Sequence, residues 1–451
     1  FIETQLELFA DESLYLGDIP ERITKIQVME KIPNVLLQSC LLSRLYDVTC
    51  TNPPYMSNGG MSKELKSFVK SKFPDSGLDL FAVFIEKCRS MLKDKGFLAM
   101  ITQHSWMFLS SYERLRNKLL DDMIVNMVHL GTKAFEEIGG EVVQTTTFTV
   151  RKTKNNGFKT TFVRLVEYEQ AKLKEEMYIK GVNRYNIQIN SFAAIPGKPM
   201  AYWISKNVIR AFKTHSRLGE VSYIKKGMFT GNNEKYIRYW FEVDINKIGF
   251  GMKNLEQAFM SQKKWFPTKK GGEYRKWYGN DFEVVAMDKQ SYDEINKSNG
   301  HRSPDYYFKP SISWSSVTTG SFSCRLSDYG YINNTASMSL FYKDVDLEII
   351  LAILNSKLIE VFLNNLSPTL NYTAGDLERI PFRANTNKKI TDFIKKIAIK
   401  NVSISKNDWD SFEISWGFRK HPLIENQSAK KIKDSITIWY SDIENNINAM
   451  R

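Results

Sequence analysis

The sequence predicts an α/β fold, and three neighbouring segments carry this prediction. Tyr46–Cys50 is a short run with the character of a buried strand. From Leu78 to Leu92 apolar residues recur at helical spacing, and Gly96–Thr102 is a second strand that a glycine turn opens. A strand, a helix and a strand in succession are typical of a mostly parallel sheet covered by helices.

The next segments continue this alternation and then break it. Tyr112–Leu120 is predicted to be a helix, Ile124–Leu130 a strand, and Val142–Val150 a strand rich in β-branched residues. No helical pattern separates the strands between Val142 and about Val166. Because strands that follow one another without a helix commonly pair in opposite directions, we expect them to form an antiparallel edge of the sheet.

The amino-acid composition of the chain changes after residue 195. Residues 196–345 are rich in Gly, Asn, Lys and aromatic residues, which predicts short strands and long loops. Two amphipathic helices follow. Their apolar faces are predicted from Leu347, Ile350, Leu351, Leu354, Leu358, Val361 and Phe362 for the first, and from Ile390, Phe393, Ile394 and Ile397 for the second. We therefore predict a domain over residues 1–195, a mixed α+β domain over 196–385 and a helical region over 386–451.

The charge balance indicates a polyanionic partner. The 451 residues include 63 Lys and Arg against 50 Asp and Glu, a formal net charge of +13. This excess favours nucleic acid over a membrane, because no lipid-anchoring or basic amphipathic helix stands out. A basic surface without a partner is the alternative. Aromatic residues make up 13% of the chain, which suits stacking surfaces as well as cores.

The cysteines and the hydropathy pattern narrow the class of protein. Cys40, Cys50, Cys88 and Cys324 lack the paired spacing of a zinc site or a disulfide framework. We expect them to be reduced thiols in a cytoplasmic protein, with no metal site. The sequence has no run of 18 apolar residues and no signal-peptide layout, so no membrane association is predicted.

Asn52-Pro53-Pro54-Tyr55 is the most specific motif of the sequence, and it comes directly after the first predicted strand. Ligands in open α/β sheets bind beyond the carboxyl ends of strands, which is where this loop is expected. Each proline disfavours the helical conformation of the residue before it, so Asn52 and Pro53 are both held extended. The loop is therefore stiff, and the Asn52 side chain and the Pro53 carbonyl can face outward as acceptors.

Two such acceptors suit the methylation of an exocyclic amine on adenine. That amine is a poor nucleophile, since its lone pair is delocalised into the ring. Asn52 Oδ1 and the Pro53 carbonyl oxygen can accept its two N–H groups, which frees the lone pair to attack a methyl sulfonium by positioning and electrostatics alone. Tyr55 offers a face on which a base flipped out of the duplex can stack. A proline-rich turn with a packed tyrosine is the structural alternative.

The motif and several further segments resemble the large adenine-specific methyltransferases of BREX phage-defence systems (PglX-like), relatives of the modification halves of single-chain restriction–modification enzymes. The further segments are Leu78–Cys88, Gly96–Arg116, Phe135–Phe148, Lys226–Val243, Lys264–Asn280, Leu366–Phe382 and Asp408–Trp416. The resemblance implies part of a class I methyltransferase-like sheet and a target-recognition domain over about 196–385. It also implies S-adenosyl-L-methionine as cofactor, double-stranded DNA as substrate, and other proteins of the defence system as partners.

The sequence departs from this family at the donor-binding loop, a glycine-rich turn that should lie well before Asn52. The first 51 residues contain one glycine, Gly17, and the Gly249-Phe250-Gly251 triplet lies far downstream without a strand-to-helix context. Asp18 is better explained as a turn or helix-capping residue. We therefore expect Asn52 to lie at the edge of the cofactor site, the rest of that site to be missing from this chain, and the chain alone to be inactive.

Candidate DNA contacts lie in three places. Lys263, Lys264, Lys269, Lys270, Arg275 and Lys276 surround a single acid, Glu273, and can neutralise phosphates. The aromatic residues among them are Trp265, Phe266, Tyr274 and Trp277, which suit stacking and the local core equally well. Asn232 with Asn233, and Asn371 with Tyr372, carry amide and hydroxyl groups that can contact base edges. Ordinary turn chemistry explains any one of these asparagines equally well.

Two other functions remain open from the sequence. The Asn-Pro-Pro-Tyr loop also suits methylation of a glutamine side chain in a protein, or of RNA, although the large basic region after residue 196 argues against a compact enzyme of that kind. The chain could instead be a DNA-binding specificity or effector subunit with an incomplete methylation site. His104 is not needed as a base in the mechanism above, so we expect it to be structural or to face DNA.

Overall fold

The computed structural model describes residues 19–134, 143–154, 157–318, 320–366, 371–383, 387–425 and 431–450. The chain divides into two compact units. Unit 1 comprises Phe1–Met107 and Ser111–Ser191, and unit 2 comprises Phe108–Ser110 and Phe192–Arg451. The predicted division into residues 1–195, 196–385 and 386–451 stays a prediction.

Unit 1 is a mixed α/β unit built on a large sheet. Among the residues that the structure describes, six strands lie in the order β1-β2-β4-β3-β5-β6. They are β1 Tyr46–Thr51, β2 Leu92–Gln103, β3 Asp122–Gly131, β4 Thr145–Lys154, β5 Lys159–Arg164 and β6 Arg184–Gln188. Its helices are α1 Ile19–Ser43, α2 Lys63–Lys72, α3 Leu80–Ser90, α4 Glu113–Asp121 and α5 Ala171–Ile179. The first two predicted strands, the helix between them, the helix near 112–120 and the third strand are therefore confirmed.

The direction of the strands places three strand ends at one edge of the sheet. β1 and β2 are parallel, and β4 is antiparallel to both β2 and β3. β3 therefore runs in the same direction as β1 and β2. Their carboxyl ends at Thr51, Gln103 and Gly131 consequently share one edge, and this is the edge at which ligands of open α/β sheets bind.

Three expectations about this sheet are wrong. It was expected to be mostly parallel, but among the described strands only the β1–β2 and β3–β5 pairs are parallel, and the other three pairs are antiparallel. β1 was expected to be buried, but Val48 is 58% exposed, because β1 is an edge strand that pairs only with β2 among the described residues. β4 was expected at an antiparallel edge, but it lies in the interior between β2 and β3, and residue 142 of its predicted range lies outside the described residues. Thr146 and Phe148 of β4 are buried, which suits a strand that has a neighbour on each side.

The described part of unit 2 contains three further sheets. Their orders are β14-β10-β11-β9, β13-β12-β15-β8 and β16-β7. The strands are β7 Ser216–Arg217, β8 Ser222–Lys225, β9 Ile237–Tyr239, β10 Trp265–Lys269, β11 Glu283–Ala286, β12 Ser311–Ser315, β13 Cys324–Ser327, β14 Ile332–Asn333, β15 Ser337–Tyr342 and β16 Pro381–Phe382. One core forms around Trp314 and Leu340, and a second forms around Phe266 and Phe308. This part of the chain therefore has the short strands that its composition predicts.

The helices of unit 2 range from a single turn to six turns. They are α6 Lys206–Thr214, α7 Leu218–Val221, α8 Asn233–Tyr236, α9 Leu255–Met260, α10 Lys289–Lys297, α11 Leu347–Leu354, α12 Lys357–Leu366, α13 Ala374–Glu378, α14 Lys388–Asp410, α15 Pro422–Glu425 and α16 Ile432–Met450. Across both units, short 3-10 turns cover His104–Met107, Ser110–Tyr112, Ile189–Ala194, Trp240–Glu242, Ile245–Lys247 and Pro304–Tyr306. Within the described ranges, no helix combines the length and the apolarity that a bilayer crossing requires.

The single helix predicted from Leu347 to Phe362 is wrong, since the chain forms two helices, α11 and α12. Asn355 ends the first one: its side chain accepts a hydrogen bond from the Cys324 nitrogen at 3.1 Å and donates one to the Cys324 oxygen at 3.0 Å. The break changes which face is buried, so Leu358 is 53% exposed. Non-local hydrogen bonds to β13 thus override the helical periodicity.

The second predicted helix exists as α14, but its buried face is not the predicted one. Phe393 is 63% exposed, and the buried residues of the helix are Ala398, Asn401, Ser405 and Trp409. Ser405 Oγ donates to the Lys276 and Tyr278 carbonyl oxygens at 3.1 Å each. Contacts with the loop after β10 therefore contribute to which face of α14 packs.

Candidate active-site loop and nucleic-acid interface

Residues 52–55 leave β1 at the carboxyl edge of the sheet in unit 1. Pro53 is buried, Asn52 and Pro54 are exposed, and Tyr55 is half-buried. Among the described residues, no side chain or backbone group hydrogen-bonds the Asn52 amide. Asn52 therefore keeps both of its amide functions available for a ligand, as the proposed chemistry requires.

Tyr55 is held by an aromatic column. Its ring lies edge-on to the Phe81 ring, with 6.0 Å between ring centres and an angle of 79°, and Phe81 in turn packs against Tyr112 at 5.8 Å. Burial and the nearby Asp79 carboxylate raise the pKa of Tyr55 to about 12. The phenol therefore stays protonated at neutral pH, and the ring is held in place from one side.

Asp79 links this loop to the start of α3. Its Oδ1 accepts hydrogen bonds from the Met56 nitrogen at 2.9 Å and from the Phe81 nitrogen at 3.3 Å. The Leu80 nitrogen donates back to the Met56 oxygen at 3.0 Å. Burial raises the pKa of the Asp79 carboxyl, and its backbone hydrogen bonds oppose that shift. The sequence analysis overlooked Asp79, although an aspartate just before an apolar helical run is a recognised N-cap signal.

Replacing Asp79 by Ala should loosen this loop. The change removes an N-cap and the acceptor for Met56, so we expect a loss of about 1–2 kcal/mol in the free energy of unfolding. Asp79→Asn keeps an acceptor oxygen and should lose much less. Asp94→Ala, at an exposed aspartate of β2, is the matched control. Urea unfolding curves for the three variants would measure this, and equal losses for Asp79→Ala and Asp94→Ala would contradict the role of Asp79.

His104 and His129 form a buried pair near the same edge. His104 Nδ1 lies 2.8 Å from His129 Nε2, so one ring donates a proton to the other. Burial lowers the pKa of His104 to about 4, and burial, followed by His104, Arg164 and Lys174, lowers the pKa of His129 as well. Both rings are therefore neutral at pH 7. His104 joins the end of β2 to β3, so the structural role is confirmed and the DNA-facing one is wrong.

Lys269 is the clearest correction among the predicted DNA contacts. Its side chain is 2% exposed and forms an ion pair with Asp281, which is 1% exposed. Its Nζ also donates to the Gly279 oxygen at 3.2 Å and lies 4.8 Å from the centre of the Tyr331 ring. β10 has a neighbouring strand on each side, so Lys269 points into the unit and does not face a phosphate.

The other basic residues of this run are largely engaged within unit 2. Arg275 forms an ion pair with Asp408 at 2.9 Å, and the Lys276 ammonium donates to the Asn355 oxygen at 2.7 Å. Three further lysines of the run lie closer to solvent. Lys270 forms an ion pair with Glu283 at 2.9 Å, Lys263 donates to the Asn246 oxygen, and Lys264 is exposed above the Trp265 ring. Their contacts with DNA, and those of Arg275 and Lys276, stay predictions.

The aromatic residues of the run serve the core more than the surface. Phe266 is fully buried and packs edge-on against Phe308, with 5.5 Å between the ring centres. Trp265 and Trp277 are half-buried, whereas Tyr274 is 52% exposed. Of these four side chains, only the Tyr274 ring offers a largely open face.

Comparison with known proteins finds methyltransferases that resemble this chain. Residues 13–135 match the family model described as Eco57I restriction-modification methylase. The chain is 37% identical over 441 residues to the adenine-specific methyltransferase PglX of Lacticaseibacillus casei (strain Zhang), covering 93% of this chain and 36% of that protein. Over the segment that it spans, the chain is similar to the PglX-like adenine-specific methyltransferases. It is also 37% identical over 446 residues to BrxX of Escherichia coli O9:H4 (strain HS), covering 96% of this chain and 35% of that protein.

The chain thus spans about a third of the length of these PglX-like relatives. Among the solved structures that match, two illustrate the shared fold. The Type IIL restriction-modification enzyme MmeI in complex with DNA matches with a TM-score of 0.53 and 11% identity, over 89% of this chain and 57% of that one. The DrdV–DNA complex matches with a TM-score of 0.50 and 12% identity, over 83% and 45%. At these identities the likeness concerns the fold alone.

The four remaining predicted contact residues of this PglX-like chain have local roles. Asn232 caps α8 by accepting from the Lys235 nitrogen at 3.0 Å, and Asn233 Oδ1 accepts from Thr230 Oγ1 at 2.5 Å. Both asparagines are exposed and keep amide donors, so their contacts with bases stay predictions, as does that of exposed Asn371. Tyr372 is buried against Phe322 in the core, so its prediction as a DNA contact is wrong.

Proposed function

We propose that the protein is a site-specific DNA adenine-N6 methyltransferase of a bacterial phage-defence system, with S-adenosyl-L-methionine as methyl donor. The observation that carries this proposal is the Asn-Pro-Pro-Tyr loop at the carboxyl edge of the sheet, with Asn52 exposed and unpartnered among the described residues. The names of the PglX-like relatives support the same reaction. We interpret the six-stranded sheet as part of a class I methyltransferase-like sheet.

The loop would act by orienting the adenine amine. Asn52 Oδ1 and the Pro53 carbonyl oxygen would accept its two N–H groups and draw the nitrogen toward tetrahedral geometry. Tyr55, held edge-on by Phe81, would stack on the flipped base, and its neutral phenol adds no charge there. Stiffness from the two prolines keeps these acceptors in place without reorganisation.

The residues that the structure describes in this loop fit the part of the site that would hold the methyl-accepting amine beside the methyl donor. When bound, S-adenosylmethionine supplies an electrophilic methyl group on sulfur. Asn52 Oδ1 and the Pro53 carbonyl oxygen would orient the amine nitrogen toward that methyl group, and the amine proton would pass to water. No side chain has to abstract that proton beforehand, which agrees with the structural role of His104.

The basic, aromatic second unit would hold the DNA. We propose that the region over about 196–385 is the target-recognition domain, that residues 386–451 are an accessory helical region, and that further proteins of the defence system are partners. Lys263, Lys264, Lys270, Arg275 and Lys276 remain candidate phosphate contacts, and Asn232, Asn233 and Asn371 remain candidate base contacts.

Labelled methyl transfer tests the proposal. The protein, expressed at the full length that its gene encodes, is incubated with duplex DNA and tritiated S-adenosylmethionine. The DNA is then digested to nucleosides and separated by chromatography. We expect the label to elute as N6-methyldeoxyadenosine. Label on cytosine, on RNA or on protein would reject the adenine assignment, and DNA binding without any labelled product would favour a specificity subunit.

A further inference from the structure

Tyr306 lies at the centre of a basic and aromatic surface that the sequence analysis did not single out. We define the Tyr306 surface as Tyr223, Lys225, Lys226, Tyr306 and Lys309, of which Lys225, Lys226 and Tyr306 line one small cavity. Tyr223 and Lys225 are alternate residues of β8, so their side chains lie on the same face of that strand. β8 is the edge strand of its sheet among the described residues, and Tyr223 is 42% exposed.

The rings of this surface pack on one another and are not loose. Tyr306 lies 4.7 Å from the Phe341 ring and 6.0 Å from the Tyr223 ring, between ring centres. Phe341 is the residue of β15 that pairs with Tyr223 in register. A buried phenylalanine therefore supports two tyrosines, and it holds their outer faces at the edge of the sheet.

The lysines are positioned by these rings. The Lys225 ammonium lies 5.4 Å from the centre of the Tyr306 ring, and the Lys309 ammonium lies 5.4 Å from it as well. Since both distances refer to the same ring centre, the two ammonium groups are at most about 11 Å apart. Cation–π contacts of this kind restrict the side chains in advance, so less entropy is lost when they meet a partner.

The charge of the surface is not compensated locally. Within the described ranges, none of Lys225, Lys226 and Lys309 forms an ion pair. By contrast, most basic residues of the run near β10 form contacts within unit 2. The acids nearby are Asp305, which faces Tyr306, and Asp344, which lies 3.8 Å from Lys343. Lys343, whose ammonium lies 5.7 Å from the centre of the Tyr223 ring, is a fourth lysine beside these rings, so the lysines outnumber the two acids.

We infer that the Tyr306 surface binds the sugar–phosphate backbone of duplex DNA, an inference that rests on the proposed function. Each strand of a duplex carries a phosphate about every 3.4 Å along the axis, so cations within about 11 Å of one another can meet neighbouring phosphates. Lysines and tyrosine hydroxyls are common donors to phosphate, and such contacts fix the position of the duplex without selecting a sequence. The surface would therefore contribute affinity and orientation.

A charge-neutral triple variant tests this surface. Lys225→Gln, Lys226→Gln and Lys309→Gln are combined in the 451-residue chain. Binding to a fluorescent duplex is measured by anisotropy from low to moderate salt. The control combines Lys388→Gln, Lys389→Gln and Lys396→Gln, three exposed lysines of α14 in the same unit. The slope of the logarithm of the binding constant against the logarithm of the salt concentration falls in magnitude by about 0.9 for each lost phosphate contact. The first variant should therefore lose about 2–3 in this slope and roughly tenfold in affinity.

The control variant should bind nearly as the unchanged chain does, because it loses the same number of charges without losing contacts. Tyr306→Ala should weaken binding, whereas Tyr306→Phe keeps the ring that positions the lysines and should weaken it less. If the two triple variants lose equal amounts of duplex affinity, the inference is overturned. An acidic protein surface would then be the alternative partner of these lysines. If the unchanged chain shows no salt-dependent binding to the duplex, DNA is rejected as its partner. This outcome can be told apart from a failure of the methyl-transfer experiment.

Discussion

Asn52→Ala is expected to slow methyl transfer to duplex DNA by about 100-fold or more, because it removes one of the two acceptors that orient the adenine amine. The Asn52 side chain is exposed and forms no hydrogen bond with the described residues, so its loss should leave the fold intact. DNA binding should also survive, since phosphate contacts dominate the affinity. Tritiated methyl transfer at saturating donor, together with duplex anisotropy, separates the two effects.

The control for this variant is Asn126→Ala, the same substitution at an exposed asparagine in the middle of β3. It should keep the normal rate. Tyr55→Phe retains the stacking ring and should remain largely active, whereas Tyr55→Ala should lose capture of the flipped base. An Asn52→Ala enzyme with nearly normal turnover would reject the role of the loop in catalysis.

Asp281→Ala is expected to reduce the free energy of unfolding by about 3–5 kcal/mol, because it leaves a buried cation without its partner. Lys269 and Arg325 are both buried, at 2% and 1% exposure, and Asp281 is the carboxylate that Lys269 pairs with. Burial lowers the pKa of Lys269, and Asp281 opposes that shift. Without Asp281 the lysine loses its proton more readily in the folded state than in the unfolded one, so the deficit should shrink as the pH rises above 7.

Tryptophan fluorescence during urea unfolding reports mainly on unit 2, which holds most of the tryptophans. Glu283→Ala is the matched control, because it breaks the neighbouring and more exposed pair with Lys270 and should cost less than about 1 kcal/mol. Combining Lys269→Met with Asp281→Leu should recover most of the loss. This double variant should also bind DNA as the unchanged chain does. A loss for Asp281→Ala no greater than that for Glu283→Ala would show that the pair is not buried.

The candidate site was predictable where local sequence carries the information. Prolines restrict their own backbone and that of the preceding residue, so the stiffness and position of residues 52–55 follow from the sequence alone. Asp79 was predictable in principle as a helix cap, but nothing local indicated that it also binds the Met56 nitrogen 23 residues earlier. The buried pairing of His104 with His129 likewise depends on two strands that are distant in sequence.

The DNA-binding residues were less predictable, because a lysine in a basic run looks the same whether its strand is central or at an edge. Lys269 lies on β10, which has a neighbour on each side, and its charge is matched by Asp281 from the following loop. Lys225 lies on β8, an edge strand among the described residues, and its charge stays at the surface. The sequence shows both as basic residues beside aromatic ones.

The sequence by itself determined the α/β alternation of unit 1, the loop at residues 52–55 and the resemblance to PglX-like methyltransferases, because apolar periodicity and a rigid tetrapeptide are local properties. The tertiary structure alone decided the interior position of β4, the helix break at Asn355, the buried face of α14 and the burial of Lys269. Each of these depends on hydrogen bonds, strand pairs or charges contributed by residues far away in the chain. Local sequence patterns therefore do not identify such partners.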